Sequence, residues 1–264
     1  MVVMSRVARV KFTDYRTSVA KALDLIGAAD GLPDGGLVII KPNLTNAQGP
    51  PVTTNVAAAQ ALYEYCRAHC KAEIAIGEGC GEGTTERTFK ANGYAELAEK
   101  YGLRLIDFNR ENTVVVTNRD AMQWKQFHMP QIAREAFIVS LPVLKDHSFT
   151  TTTIAMKNMF GLAPAPFYGG SWNKSKLHSP STHKSVFDIC LYKKPGLCVV
   201  DAAVALAGTH ISGRPKNTGL ILASFDPVAV DAAGARLLGL DWRKIDHIKL
   251  GDGVLGHVDS STAP

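Results

Sequence analysis

Lysines and a histidine placed just after apolar runs are the residues most able to do chemistry in this chain. Leu141-Pro142-Val143-Leu144-Lys145-Asp146-His147 puts a base-capable lysine and histidine on one loop behind such a run. Thr153 and Lys157 follow, four apart on a segment that reads as a helix, so they share a face with Asn158 beside them. Lys41-Pro42-Asn43-Leu44 ends a second apolar run, where the proline fixes the exit angle and holds Lys41 and Asn43 at a strand end. Lysines that converge depress one another's pKa and attract carboxylate or phosphate. A lysine tuned that way can act as a proton-transfer base or a Schiff-base nucleophile. The bland alternative, a solvated helix face, fits poorly with a segment rich in Thr and Met.

The acidic candidates are Glu78, Asp201, Asp226 and Asp231. Glu78 lies in Gly77-Glu78-Gly79-Cys80-Gly81-Glu82-Gly83-Thr84, between an expected strand and helix where a dinucleotide fingerprint would sit. The spacing fails that fingerprint, because its third glycine falls on Glu82, and two glutamates would repel a pyrophosphate. The glycines are better read as a tight turn with Glu78 facing a site. Asp226-Pro227 opens a helix, so Asp226 is first an N-cap with proline at N1. Asp231, deeper in the same apolar helix, needs a buried partner, and a cleft lysine is the natural one. His178 and His183 could hold a metal with Asp201 or Asp226, but loop histidines at this spacing are more naturally solvated, and no metal site is assigned.

Strands must alternate with helices to position these residues. Val7–Phe12, Leu37–Lys41, Glu73–Ile76, Leu103–Asp107, Thr113–Val116, Phe137–Leu141, Leu197–Val200 and Gly219–Ala223 read as strands. Helices are expected over Ser18–Ile26, Val56–His69, Thr84–Ala91, Ala95–Tyr101, Thr151–Met159, Val186–Tyr192, Pro227–Leu238 and Ile245–Leu250. The pattern predicts an α/β fold with a largely parallel sheet and helices on both faces, as one domain over 1–264 or as two lobes around a cleft. In such sheets ligands gather beyond the carboxyl ends of the strands. Lys41, Glu78, Lys145, Asp201 and Asp226 each follow a strand end. From Gly161 to His183 the composition turns to Pro, Gly, Ser, Asn and Lys with Phe167, Tyr168 and Trp172, and this long irregular stretch suits a lid or binding loop.

The net charge of +5 over 264 residues is scattered rather than gathered in a stripe, which argues against nucleic acid and for a cleft that takes an anion. Five cysteines without a Cys-x-x-Cys pair make neither a disulfide framework nor an iron–sulfur site, and they suit a reducing compartment. The N-terminus lacks the features of a signal peptide, and no apolar stretch is long enough to span a bilayer. The expected setting is the cytoplasm, away from membranes.

Taken together, Lys41-Pro-Asn-Leu, Gly77-Glu-Gly, Gly93-Tyr94, Leu141-Pro-Val-Leu-Lys-Asp-His147 and Thr153-Ile-Ala-Met-Lys157-Asn158-Met-Phe-Gly161 resemble the domain of unknown function 362 family. His178, Val200-Asp201 and Asp226-Pro-Val-Ala-Val-Asp231-Ala continue the resemblance in the same order, so that it spans the chain from about Val7 to Gly256. It implies an α/β fold and a common site at these positions, and no particular reaction. Many members carry an appended ferredoxin-like module with clustered Cys-x-x-Cys motifs, which this sequence lacks, so it is expected to hold no cluster itself. No motif specifies a cofactor. The leading expectation is an enzyme acting on an anionic small molecule, with Lys145, His147, Lys157 and Asp201 as the catalytic set and His147 as acid–base. Lys41, Asn43, Glu78, Thr153, Asn158, His178, Asp226 and Asp231 are the expected ligand-binding set. The alternative is a non-catalytic binding or accessory protein that partners a separate ferredoxin-like iron–sulfur protein.

Overall fold

Alternate residues of the strand Leu37–Pro42 belong to two different hydrophobic cores. Val38 and Ile40 pack with Val19 and Leu23 of the helix Tyr15–Leu25 and with Leu62 and Cys66 of the helix Val56–His69. Ile39 packs with Met156, Phe160, Val186 and Val228 on the opposite side. A strand reads as a continuous apolar run when helices cover both of its faces, and that is the case here. The computed structural model in which these contacts are seen describes residues 7–258.

In chain order the strands are β1 (Ala8–Lys11), β2 (Leu37–Pro42), β3 (Glu73–Glu78), β4 (Arg104–Asp107), β5 (Thr113–Thr117) and β6 (Gln126–Pro130). They continue as β7 (Phe137–Leu141), β8 (Val143–His147), β9 (Thr151–Thr153), β10 (Leu197–Ala207) and β11 (Arg214–Ser224). The main sheet runs β1-β11-β10-β7-β2-β3-β4, with β8 paired to β10 and β9. Its centre is parallel, since β10, β7, β2, β3 and β4 all run the same way. The β1, β11 margin is antiparallel, as is the β8–β9 pair. No described helix is long and apolar enough to cross a membrane.

Three departures from the sequence reading bear on function. Lys145-Asp146-His147 is strand, not loop. Pro142, which has no N–H to donate, divides β7 from β8, and the long β10 pairs with β7 at Leu197 and Cys198 and with β8 at Asp201 and Leu206. Thr151–Met159 is not one helix. Three β-branched threonines pair as β9 against β8, and helix is confined to Ala155–Asn158 before a tighter turn over Met159–Leu162. Lastly, β5 pairs with β6 in a separate two-stranded sheet, and β6 has no counterpart among the expected strands.

Candidate functional site

The carboxyl ends of β2 and β3 and the strand β8 converge on a cavity of about 620 Å³. At its floor Lys41 is fully buried, with Nζ 2.9 Å from both carboxylate oxygens of Glu78. The same ammonium donates to the Pro42 carbonyl at 3.1 Å and to Asn158 Oδ1 at 3.2 Å, so its protons are all engaged. Glu78 also accepts from the backbone N–H groups of Leu44 and Gly79. Asn158 in turn donates Nδ2 to the Lys41 carbonyl and to Ser140 Oγ, and its Oδ1 also accepts from Asn43 Nδ2. This amide ties the turn that carries Lys157 to the ends of β2 and β7. Burial pulls the Lys41 pKa down, and the Glu78 carboxylate opposes that pull.

Lys157 is different. It is only 8% exposed and it lines the cavity, yet among the described residues its Nζ has no hydrogen-bond or ion-pair partner. The amine sits 3.5 Å from the centroid of the Phe160 ring. Burial, then the neighbouring charges of Lys145, Lys41 and Lys174, push its pKa well below that of an ordinary lysine. Lys145 and Lys174 are intermediate. Lys145 donates to the carbonyls of Val52 at 2.7 Å and His210 at 3.4 Å, and Lys174 donates to Asn109 Oδ1 and the Ala163 carbonyl. Each ammonium therefore keeps one unused proton. Burial takes both down to about 7, against the upward pull of Glu78.

Three imidazoles line the same cavity. His147 stacks on His210 with centroids 4.0 Å apart, and His178 lies 6.3 Å from His147. His147 Nδ1 accepts from the backbone N–H groups of Phe149 and Thr150, which leaves the ring proton on Nε2. His178 has the opposite tautomer. Its Nδ1 is 2.9 Å from the Lys174 carbonyl and must donate to it, so Nε2 is the acceptor. Burial is the main cause that lowers all three, taking His178 and His210 to about 4 and His147 further. Thr153 Oγ1, Asn43 Oδ1 and His210 Nδ1 are further buried atoms on the cavity wall without a protein partner among the described residues. Thr151, paired with His147, holds a φ of 64°, a left-handed conformation that is strained for a β-branched residue.

Of the expected catalytic set, Lys145, His147 and Lys157 line this cavity and Asp201 does not. Asp201 lies on β10 opposite Val143, accepts from Tyr15 Oη at 2.9 Å and from the Ala203 N–H, and is thereby committed to the helix Tyr15–Leu25. Lys41, Asn43, Glu78, Thr153, Asn158 and His178 line the cavity, although Thr153 reaches it from β9 and not from a helix shared with Lys157. Asp226 is elsewhere, capping the helix Pro227–Leu238 through Val228 and Ala229 and accepting from His257 N–H. Asp231 also lies outside the cavity, and its partner is not a lysine. Its carboxyl accepts from the N–H groups of Ala155 and Met156 and faces His247 Nε2 at 3.8 Å. His183 pairs with His247, Nδ1 to Nδ1 at 3.0 Å, rather than with His178.

Two contributors were not in the expected site set. Lys174 was read, with Lys176 and His178, only as a lid cation that would meet a ligand's charge, but it is 4% exposed and lines the cavity. His210 lies in the turn between β10 and β11 and reaches the site only because that long hairpin folds over it. The 161–183 segment is anchored as well as irregular. Tyr168 packs on Trp124 and Phe127 and accepts from His128 N–H, while Asn173 donates to the carbonyls of Cys80 and Gly83. Only Trp172 of its three aromatics lines the cavity.

A family model described as Domain of unknown function (DUF362) matches residues 38–236, a span that takes in every cavity lysine and histidine named above. A thylakoid-associated protein of Synechocystis sp. is 23% identical over 222 residues, covering 81% of this chain and 67% of that protein.

Proposed function

This chain belongs to the DUF362 family, and from that premise we propose that its lysine-lined cavity binds an anionic small molecule, a carboxylate or phosphate, and acts on it by acid–base chemistry. The observation that carries the reading is Lys157, a buried amine in the cavity without an acceptor among the described residues, in a cavity shared with two ammonium groups that each keep a free proton. An anion placed there would accept from Lys145 and Lys174 and relieve the cost of burying their charge. Lys157, with its pKa depressed, supplies the base. His147 presents an Nε2–H and so suits donation to a ligand oxygen, while His178 Nε2 suits proton acceptance. Lys41, Glu78 and Asn158 hold the architecture.

The five buried cysteines are all unpaired, which supports a reducing compartment, and we assign the chain to the cytoplasm. The relative's association with thylakoids is a property of that protein, and cell fractionation tests whether this chain stays off membranes. The functional test is a panel of small carboxylates and phosphates screened by calorimetry and for turnover. Weaker binding in Lys145→Met and in Lys174→Met, and loss of turnover in Lys157→Met with the fold intact, are the expected results. Equal binding by wild type, Lys145→Met and Lys174→Met would overturn the site, and binding without any turnover would leave a ligand-binding or accessory protein.

A further inference from the structure

Within the anion-binding reading just given, on which this rests, we propose that the ligand class is short 2-oxo acids and that Lys157 forms an imine with their carbonyl carbon. Hydrogen-bond partners separate the four cavity lysines. Lys41, Lys145 and Lys174 each point N–H groups at carbonyl or carboxylate oxygens, the surroundings of an ammonium. Among the described residues Lys157 has no such oxygen and its nitrogen lies over the Phe160 ring, so no oxygen acceptor fixes it as an ammonium. A carbonyl compound must then be held within reach. Lys145 and Lys174 each keep one proton free in the same cavity for a carboxylate oxygen, and a cavity of about 620 Å³ accommodates such a molecule.

The remaining requirement is proton movement as water leaves. The Lys157 nitrogen attacks the carbonyl carbon, the N–C bond forms, and the π pair moves onto oxygen. One N–H proton passes to that oxygen to give the carbinolamine. The C–O bond then breaks as the nitrogen lone pair forms C=N, and the second N–H proton leaves with the oxygen as water. Amine and carbonyl therefore become imine and water, with no oxidant or reductant. His178 Nε2, unprotonated because Nδ1 serves the Lys174 carbonyl, is placed to carry each proton. It packs edge-on to the same Phe160 ring that Lys157 sits over, with centroids 5.7 Å apart. His147 Nε2–H is placed to hold the oxygen.

The test is reductive trapping. The full-length protein is incubated with pyruvate or glyoxylate and sodium borohydride, and adducts are mapped by peptide mass. Propionaldehyde serves as an uncharged carbonyl, and lactate as a carboxylate without a carbonyl. The expected result is one adduct, on Lys157, formed with pyruvate at least about tenfold faster than on any surface lysine, since each unit of lowered pKa frees about tenfold more amine. Lactate should suppress it, and Lys157→Arg, checked for an unchanged melting transition, should abolish it. Pyruvate labelling spread over surface lysines, or persisting in Lys157→Arg, overturns the proposal. Lactate that shields Lys157 from acetic anhydride while pyruvate gives no adduct would overturn the imine and leave anion binding standing. No shielding and no adduct would overturn both.

Discussion

Every proton of the Lys41 ammonium is engaged, with both Glu78 oxygens, a carbonyl and an amide oxygen as acceptors, whereas the Lys157 nitrogen, in the same cavity, has no polar partner among the described residues and lies over the face of Phe160. Both side chains are buried, and burial lowers the pKa of both. They differ in what surrounds the nitrogen. An ammonium taken out of water needs good geometry and full hydrogen bonding to recover its lost hydration, and the Lys41 cluster supplies this from β2, β3 and the turn at Asn158. An amine left without acceptors gives the fold nothing. Under the proposed function its place in the cavity follows from what it does to a ligand, and on that reading a buried lysine's partners, more than its burial, separate architecture from chemistry.

The largest effect should come from breaking the satisfied side of this comparison. Lys41→Met or Glu78→Gln leaves one charge buried and unpaired, and each should cost about 3–5 kcal/mol in urea unfolding. Gly161→Ala should do similar damage without touching either charge. A Cβ at Gly161 would land on Glu78 Oε1 and Lys41 Nζ, and a close approach of this kind is met only by glycine. By contrast, Lys157→Met should leave stability unchanged or raise it. A loss with Lys157→Met equal to that with Lys41→Met would end the distinction.

Next in size is a pH effect. Lys145 and Lys174 are held at about 7, below the ordinary lysine value of 10.5. Below pH 7 both are protonated whether the chain is folded or not, and the cost of burying the charge is fully present. Between about 7 and 10.5 the unfolded chain binds more protons than the folded one, so stability should rise with pH across that window. Tyr65, pushed up mainly by burial, should reverse the trend once the unfolded phenol ionises near pH 10. Anion binding runs the other way, because the bound form needs the protons. Affinity should fall by up to about tenfold per pH unit above 7 for each lysine that must be reprotonated. Calorimetry in buffers of different ionisation enthalpy should show proton uptake at pH 8, and Lys145→Met should remove part of it.

A smaller effect is expected at Asp231. Burial keeps its carboxyl well above the usual carboxylate range. Its oxygens hold the first N–H groups of the short helix that carries Lys157. Asp231→Ala leaves those amides without an acceptor and should cost about 1–3 kcal/mol, whereas Asp231→Asn keeps an acceptor and should cost less. Urea unfolding of the two variants compares them directly.

These effects also mark what the sequence made legible. The apolar runs ended by Pro42 and Pro142 were readable because a parallel strand covered on both faces has no polar side; the first located Lys41 at a strand end, and the strand read over Glu73–Ile76 located Glu78. Asp201 and Asp231 were misplaced because sequence spacing says where a carboxylate lies along the chain and not which layer it faces. Their real partners, Tyr15 and the amides of Ala155 and Met156, are distant in sequence. Lys145 and His147 were read as loop because their strand is defined by pairing with β9 and with the distant β10, and Lys-Asp-His carries no apolar strand pattern of its own. Lys174 was read only as a lid cation and His210 was missed for the same reason, since each reaches the cavity on a segment folded in from far along the chain.

The smallest expected effect probes the amine itself. Lys157 Nζ lies at a distance from the Phe160 ring that suits a cation–π contact, worth about 0.5–2 kcal/mol when the nitrogen is charged. Burial and three neighbouring lysines lower its pKa, and on the proposed reading of Lys157 as a free amine it forfeits most of that attraction. A double-mutant cycle over Lys157→Met and Phe160→Leu, read by urea unfolding, should therefore give a coupling below about 0.5 kcal/mol at pH 8. Lowering the pH toward the range where Lys157 takes up its proton should increase it. A coupling near 2 kcal/mol already at pH 8 would mean a charged Lys157 held by Phe160, and the contrast with Lys41 would then reduce to two cations paired in different ways.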